Sequence, residues 1–298
     1  MKPIYVPLAV ALLALGPNVL ASDGDPAAAK TTNPFYPQFC FGFGASDSQY
    51  GTPNERATLL QSLGYDGYSH YKVDGLSDVL KALDENRLRL FQFYIEVSLD
   101  PNKPTRYDAR LKEALALLKG RGTVVSLLMT GGPADPAAWE SQAATVVAEI
   151  ADLAATHDVR VAIYPYYRTI RETVRVAQKT GRKNVGVIFS QVFFFIAEDE
   201  EDIENVLKDA LPFLYAVNIN GTDSGYKGYK GTDFSHLIQT LDRGGFDNLR
   251  LLKILRKLGY RGPIGLHCCY IPGDVRDNLA RSMDAWKKLS LRLDAQKP

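Results

Sequence analysis

Hydrophobic and polar positions along the chain alternate between two periods. Short continuous apolar runs recur, each followed by a longer stretch in which apolar residues return at helical spacing. The pattern opens with "FCFGFGAS" before "PNERATLLQSLG", then "YDGYSHY" before "LSDVLKALDEN", and "RLRLFQFYIEVS" before "YDARLKEALALLKGRG". It continues with "TVVSLLMTGG" before "DPAAWESQAATVVAEIADLAATHD", where Asp135 can cap and Pro136 suits the first helical position. "VRVAIYPYY" precedes "TIRETVRVAQKTG", in which Thr169 and Glu172 have capping-box spacing. "NVGVIFSQVFFF" precedes the acidic "EDEEDIENVLKDAL", and "YAVNING" leads through a Gly-, Tyr- and Lys-rich insertion to "DNLRLLKILRKLG". "PIGLHCCYI" and "DVRDNLARSMDAWKKLSLRL" close the series.

Strands that read as unbroken apolar runs are buried on both faces, as in a parallel sheet flanked by helices. Eight strand–helix units in about 260 residues predict a single (β/α)₈ TIM barrel over residues 38–298. Ahead of it, a short basic start and the apolar "PIYVPLAVALLALG" predict a signal peptide over 1–21, with a polar linker at 22–37. The apolar run is too short for a stable membrane span, so a secreted or periplasmic location is expected. A net charge of +1 with both signs interspersed gives no nucleic-acid footprint. Three cysteines (Cys40, Cys268, Cys269) are too few for a disulfide framework. If Cys40 begins the first strand, it lies too far along the barrel from Cys268 for a bridge, and three reduced thiols are expected.

In this architecture chemistry sits where strands end. Glu96 ends an apolar run, so burial raising its pKa toward working pH would make it a general base. His70 and His267 close the second and last strands and complete the candidate acid–base set. Asn218 and Asn220, with Asp223 beyond them, and Gln191 offer groups suited to sugar hydroxyls. Tyr166 offers an aromatic platform; strand alternation predicts that it shares a side with Tyr164 and that Tyr167 does not.

"LGYDGYSH", "NVGVIFS", "VNINGTD", the run from Leu237 to Ile271 and "GDVRDNLARSMDAW" resemble the xylose isomerase-like TIM barrels. The closer likeness is to secreted members described as sugar phosphate isomerases/epimerases. The resemblance implies sugar chemistry, and in such relatives a divalent metal held by carboxylates and histidines near the ends of the later strands. Relatives tend to carry "YPH" where this chain has Tyr164-Pro165-Tyr166, and a histidine where it has Phe193. They tend to have Asn where Ser190 stands and Gln or Glu where His267 stands. The metal-ligand positions are therefore altered, no metal site is assigned, and no cofactor is assigned. Two functions follow. One is a sugar isomerase or epimerase (or keto-sugar lyase) acting on an unphosphorylated sugar or glycoside by proton abstraction next to a carbonyl. The alternative is a non-catalytic sugar-binding barrel that has lost the family metal site. Either way the expected partner is a small carbohydrate.

Overall fold

The computed structural model describes residues 33–226 and 234–295; the expected signal peptide lies outside them, as do most of the linker and part of the insertion after the seventh strand. In chain order the elements are β1 (Phe35–Gln38), α1 (Pro53–Leu63), β2 (Gly67–Tyr71), α2 (Leu76–Glu85), β3 (Arg89–Ser98), α3 (Leu111–Leu118) and β4 (Val124–Thr130). They continue with α4 (Pro136–Ala155), β5 (Arg160–Tyr164), α5 (Ile170–Thr180), β6 (Val185–Ser190), α6 (Gln191–Ala197) and α7 (Ile203–Ala210). β7 (Leu214–Ile219), α8 (Asn248–Lys257), β8 (Ile264–His267) and α9 (Val275–Asp294) complete the chain.

The eight strands form one parallel sheet in the order β1-β8-β7-β6-β5-β4-β3-β2. Asp66 ties the remaining β1–β2 seam: its backbone N–H donates to the Phe35 carbonyl and its carboxylate accepts from Phe35 N–H, both at 2.9 Å. This is the single (β/α)₈ barrel expected, and the caps fall where the sequence puts them. Asp135 accepts from Ala138 N–H at the start of α4, and Thr169 with Glu172 forms a full capping box on α5. No helix among the described residues is long and apolar enough to cross a membrane.

Three local expectations change. The first strand is "FYPQ", whose first three residues fall in the stretch assigned to the linker, and "FCFGFGAS" is the loop after it. Pro37 cannot donate to a ladder, which makes the segment read as a connector; at the open seam that missing donor costs little. The apolar run after Ser190 turns into helix α6 instead of prolonging β6, because a short buried apolar run carries no period that separates the two states. β5 ends at Tyr164, and Tyr167 sits at φ 53°, so strand alternation no longer sorts the three tyrosines.

The shift in β1 also removes the spacing argument about the cysteines. Gln38 is in register with His267, and Cys268 N–H donates to the Gln38 carbonyl at 3.2 Å. Cys40 and Cys268 thus both lie just beyond the ends of neighbouring strands, and all three cysteines are buried free thiols.

Candidate active site

Alternation on the strands decides which side chains enter the barrel. Tyr36 and Gln38 on β1, Gln92 and Tyr94 on β3, Ser126 on β4 and Asn218 on β7 form a polar network in its interior. The Tyr36 hydroxyl donates to Gln92 Oε1 at 2.6 Å, Gln92 Nε2 to Ser126 Oγ at 3.2 Å, and Asn218 Nδ2 to the Tyr94 hydroxyl at 3.1 Å. The Tyr94 hydroxyl meets Gln38 Oε1 as well. All of these side chains are fully buried. Burial pushes the Tyr36 and Tyr94 phenols well above their ordinary range, so both remain protonated donors.

Above this floor, at the C-terminal end of the strands, lies a cavity of about 580 Å³. Tyr164, Tyr166, Tyr167 and Phe193 build one wall, and Phe39, Phe43 and Tyr71 face it from the other side. Phe193 meets the rings of Tyr164, Tyr166 and Tyr167 edge-on, with centroids 5.3–5.5 Å apart. Phe234 and Tyr270 stack on each other at 5.5 Å and add a further aromatic face, with Tyr270 57% exposed. Offset and edge-on rings hold one another in place, so the wall is preformed.

Two ionisable residues of the expected acid–base set line this cavity. Glu96 stands on the same face of β3 as Gln92 and Tyr94, one step higher. It is not buried as expected: its side chain is 55% exposed. The Tyr71 hydroxyl donates to Glu96 Oε1, and the Lys72 ammonium lies 3.7 Å from the same oxygen. Burial first, then the hydrogen bond to Glu96 and its charge, push the Tyr71 phenol well above its ordinary range. Glu96 and Thr130 also border a smaller cleft of about 260 Å³, where Lys72, Lys103 and Arg106 stand.

His267 ends β8 on the opposite side. Its Nδ1 lies 3.3 Å from the Tyr164 hydroxyl and its Nε2 3.0 Å from Cys269 Sγ. Burial brings its pKa down to about 3, so the ring is neutral at pH 7. The expectation that it serves as an acid gives way to a hydrogen-bonding role.

Other candidates lie elsewhere. His70 alternates with Tyr71 and points away from the cavity; its Nε2 bonds the Asp74 carbonyl at 2.8 Å and its ring stacks over Phe93. Gln191 Nε2 donates to the Asn220 carbonyl and to Thr222 Oγ1, both at 2.9 Å, and Asn220 Nδ2 donates to the Gly221 carbonyl and Thr222 Oγ1. These two amides brace the loop after β7. Asn218 belongs to the barrel floor, and Asp223 holds His236 Nδ1 at 2.7 Å and Gln239 Nε2 at 3.1 Å on the surface. Of the expected set, the structure brings together Glu96, Tyr166 and His267.

Sequence reasoning missed Tyr71, Lys72 and Cys269. The signal for Tyr71 was present: adjacent residues on β2 face opposite ways, so His70 and Tyr71 could not both enter the mouth.

The donor set does not suit the metal implied by the family. Among the described residues no three His, Cys, Asp or Glu side chains gather to hold an ion. Both His267 nitrogens face protein partners, and Tyr166 and Phe193 offer no imidazole or carboxylate.

A near-closed eight-stranded parallel barrel with a cavity at the strand C-termini defines the class as a TIM barrel. Residues 57–289 match the xylose isomerase-like TIM barrel family, and the chain belongs to it. Comparison with curated protein sequences gives no significant match. Among solved structures, the apo form of 3-keto-D-glucoside 4-epimerase YcjR from E. coli aligns with a TM-score of 0.62 and 15% identity, over 84% of this chain and 98% of that one. D-psicose 3-epimerase with D-tagatose from Clostridium cellulolyticum H10 aligns at 0.60 and 13%, over 87% and 99%. The IOLI protein with a bound zinc atom aligns at 0.67 and 14%, over 87% and 99%. At these identities the likeness is one of fold.

Proposed function

We propose that the chain is a sugar epimerase or isomerase that takes an unphosphorylated sugar or glycoside and removes a proton next to a carbonyl. The observation that carries this reading is Glu96, fixed by the Tyr71 hydroxyl and flanked by Lys72, at the edge of an aromatic cavity. The epimerase activities of structural neighbours support it.

Aromatic faces suit the C–H faces of a sugar ring, and the hydroxyls of Tyr164 and Tyr166 suit its edges. Among the described residues the cavity lining contains no Lys or Arg, which disfavours a phosphate in the ring-binding part. The signal peptide expected over 1–21 would fit the same choice by placing the chain outside the cytoplasm.

In the proposed step the Glu96 carboxylate takes the proton from the carbon beside the carbonyl. The charge that builds on the carbonyl oxygen needs a donor: the Lys72 ammonium beside Glu96 can supply one, and the Tyr71 phenol can turn to it as Glu96 takes up the proton and loses its charge. In an isomerisation Glu96 then delivers the proton to the adjacent, former carbonyl carbon while one hydroxyl proton passes between the two enediolate oxygens. In an epimerisation solvent protonates the same carbon from the opposite face and Glu96 gives its proton back to solvent. His267, neutral and held between Tyr164 and Cys269, positions the Tyr164 hydroxyl in the cavity wall. No metal is required in this scheme.

The test is NMR of aldoses, ketoses and keto-glycosides incubated with the protein in heavy water. Loss of a single C–H signal beside the carbonyl supports the reading. A sugar that binds but exchanges no carbon-bound proton, across the whole panel, contradicts it.

A further inference from the structure

Beyond the sugar site, the seam between the first and last strands holds a pair of thiols. Cys268 follows β8 and points outward, its Sγ 3.1 Å from the Gln38 carbonyl. Cys40 lies two residues beyond Gln38, the residue whose carbonyl accepts from both the Cys268 N–H and the Cys268 thiol, so the two cysteines sit side by side past the ends of neighbouring strands. Tyr65 and Tyr68 belong to the same buried cluster as both cysteines, and the Tyr65 hydroxyl donates to the Leu279 carbonyl on α9 at 2.9 Å. Cys40 and Cys268 are 2% and 5% exposed. Cys269 points the other way, into the cavity, with its sulfur on His267. The three thiols therefore divide into an outer pair and one inner thiol.

We propose that Cys40 and Cys268 are a redox pair: the dithiol seen here closes to a disulfide that clasps β1 to β8. The co-reactant is a small disulfide such as oxidised glutathione. One cysteine sulfur attacks it to give a mixed disulfide and release one glutathione thiol. The second cysteine sulfur attacks the mixed disulfide and releases the other. The S–S bond of the oxidant breaks, the Cys40–Cys268 bond forms, and the two cysteine protons leave on the two glutathione thiols.

Burial pushes the Cys268 thiol well above its ordinary range, which keeps the attacking thiolate scarce and makes exchange slow in the closed fold. The loop after β1, with Phe39, Gly42 and Gly44 all at positive φ, is the segment whose opening would expose Cys40. The clasp has a consequence for the cavity. Phe39 directly precedes Cys40 and His267 directly precedes Cys268, so the bridge would fix the backbone beside two lining residues.

The experiment incubates the folded full chain with oxidised glutathione, quenches in acid, denatures without reductant, titrates thiols and maps disulfide-linked peptides. The expected result is a fall from three thiols per chain to one, with a peptide joining Cys40 to Cys268. Cys269→Ser should then leave no thiol and Cys40→Ser should leave two. Three thiols remaining overturns the proposal, as does a mapped bridge between Cys268 and Cys269 or stable glutathione adducts without a bridge. None of these readouts depends on the chain's activity toward sugars.

Discussion

The Tyr71 hydroxyl donates to the Glu96 carboxylate across the β2–β3 pair, at the mouth of the barrel. Tyr71 enters the mouth because it alternates with His70, and Glu96 because it stands above Gln92 and Tyr94. The pair fixes the orientation of the one carboxylate that lines the aromatic cavity among the described residues.

Tyr71→Phe keeps the ring and deletes only the donor. A hydrogen bond to a charged group contributes about 1.5–3 kcal/mol, so the exchange rate should fall by roughly 10- to 100-fold. Sugar affinity should change by less than about threefold, because the ring contact survives. Proton NMR rates set beside calorimetric Kd values check this; equal losses in both would make Tyr71 a binding residue only.

The neutral state of His267 predicts how stability depends on pH. Its folded value, about 3, is depressed below the unfolded value of about 6.5. Between those values the unfolded chain binds the extra proton, so this contribution to stability is lost as pH falls from about 6.5 toward 3 and is complete above that window. The loss on going from pH 7 to pH 4 should be greater in the wild type than in His267→Gln, by on the order of 2–3 kcal/mol. Urea titrations at both pH values measure it; identical losses would show that His267 is not held neutral by burial.

The aromatic wall makes a separate prediction. Tyr166 packs against Tyr167 and Phe193 with centroids 4.5 and 5.4 Å away, yet is only half-buried. Tyr166→Ala should therefore weaken sugar binding by roughly 3- to 10-fold, in line with the about 0.5–1.5 kcal/mol of an aromatic contact. Calorimetry gives the affinity, and an unchanged Kd would mean that the wall fills space without touching sugar.

Removal of metal should matter little. Protein purified without chelators should carry less than one tightly held divalent ion per chain, and EDTA should leave proton exchange intact. One ion per chain, with exchange lost on chelation and regained on readdition, would overturn the metal-free scheme.

The barrel was legible in the sequence because the alternation of apolar runs with helical patterns survives every local irregularity. Asp135, Thr169 and Glu172 mark helix starts through side-chain chemistry that acts within a few residues. The misplaced pieces depend on distant partners. β1 is a strand because β8 pairs with it, despite Pro37, and the phenylalanine run of α6 is helical because it turns at Ser190. The site was half legible for the same reason. Glu96, Tyr166 and His267 follow from strand ends, whereas the bracing roles of Gln191 and Asn220 depend on loop carbonyls that the sequence cannot position.

The central claim, that Glu96 removes a carbon-bound proton from a bound sugar, is tested most directly by Glu96→Gln. The amide keeps the shape and cannot act as the base, so sugar binding by calorimetry should persist. Deuterium wash-in from solvent should fall by roughly 10²–10⁴-fold relative to the wild type. Wash-in at the wild-type rate in a variant that still binds the sugar would contradict the account.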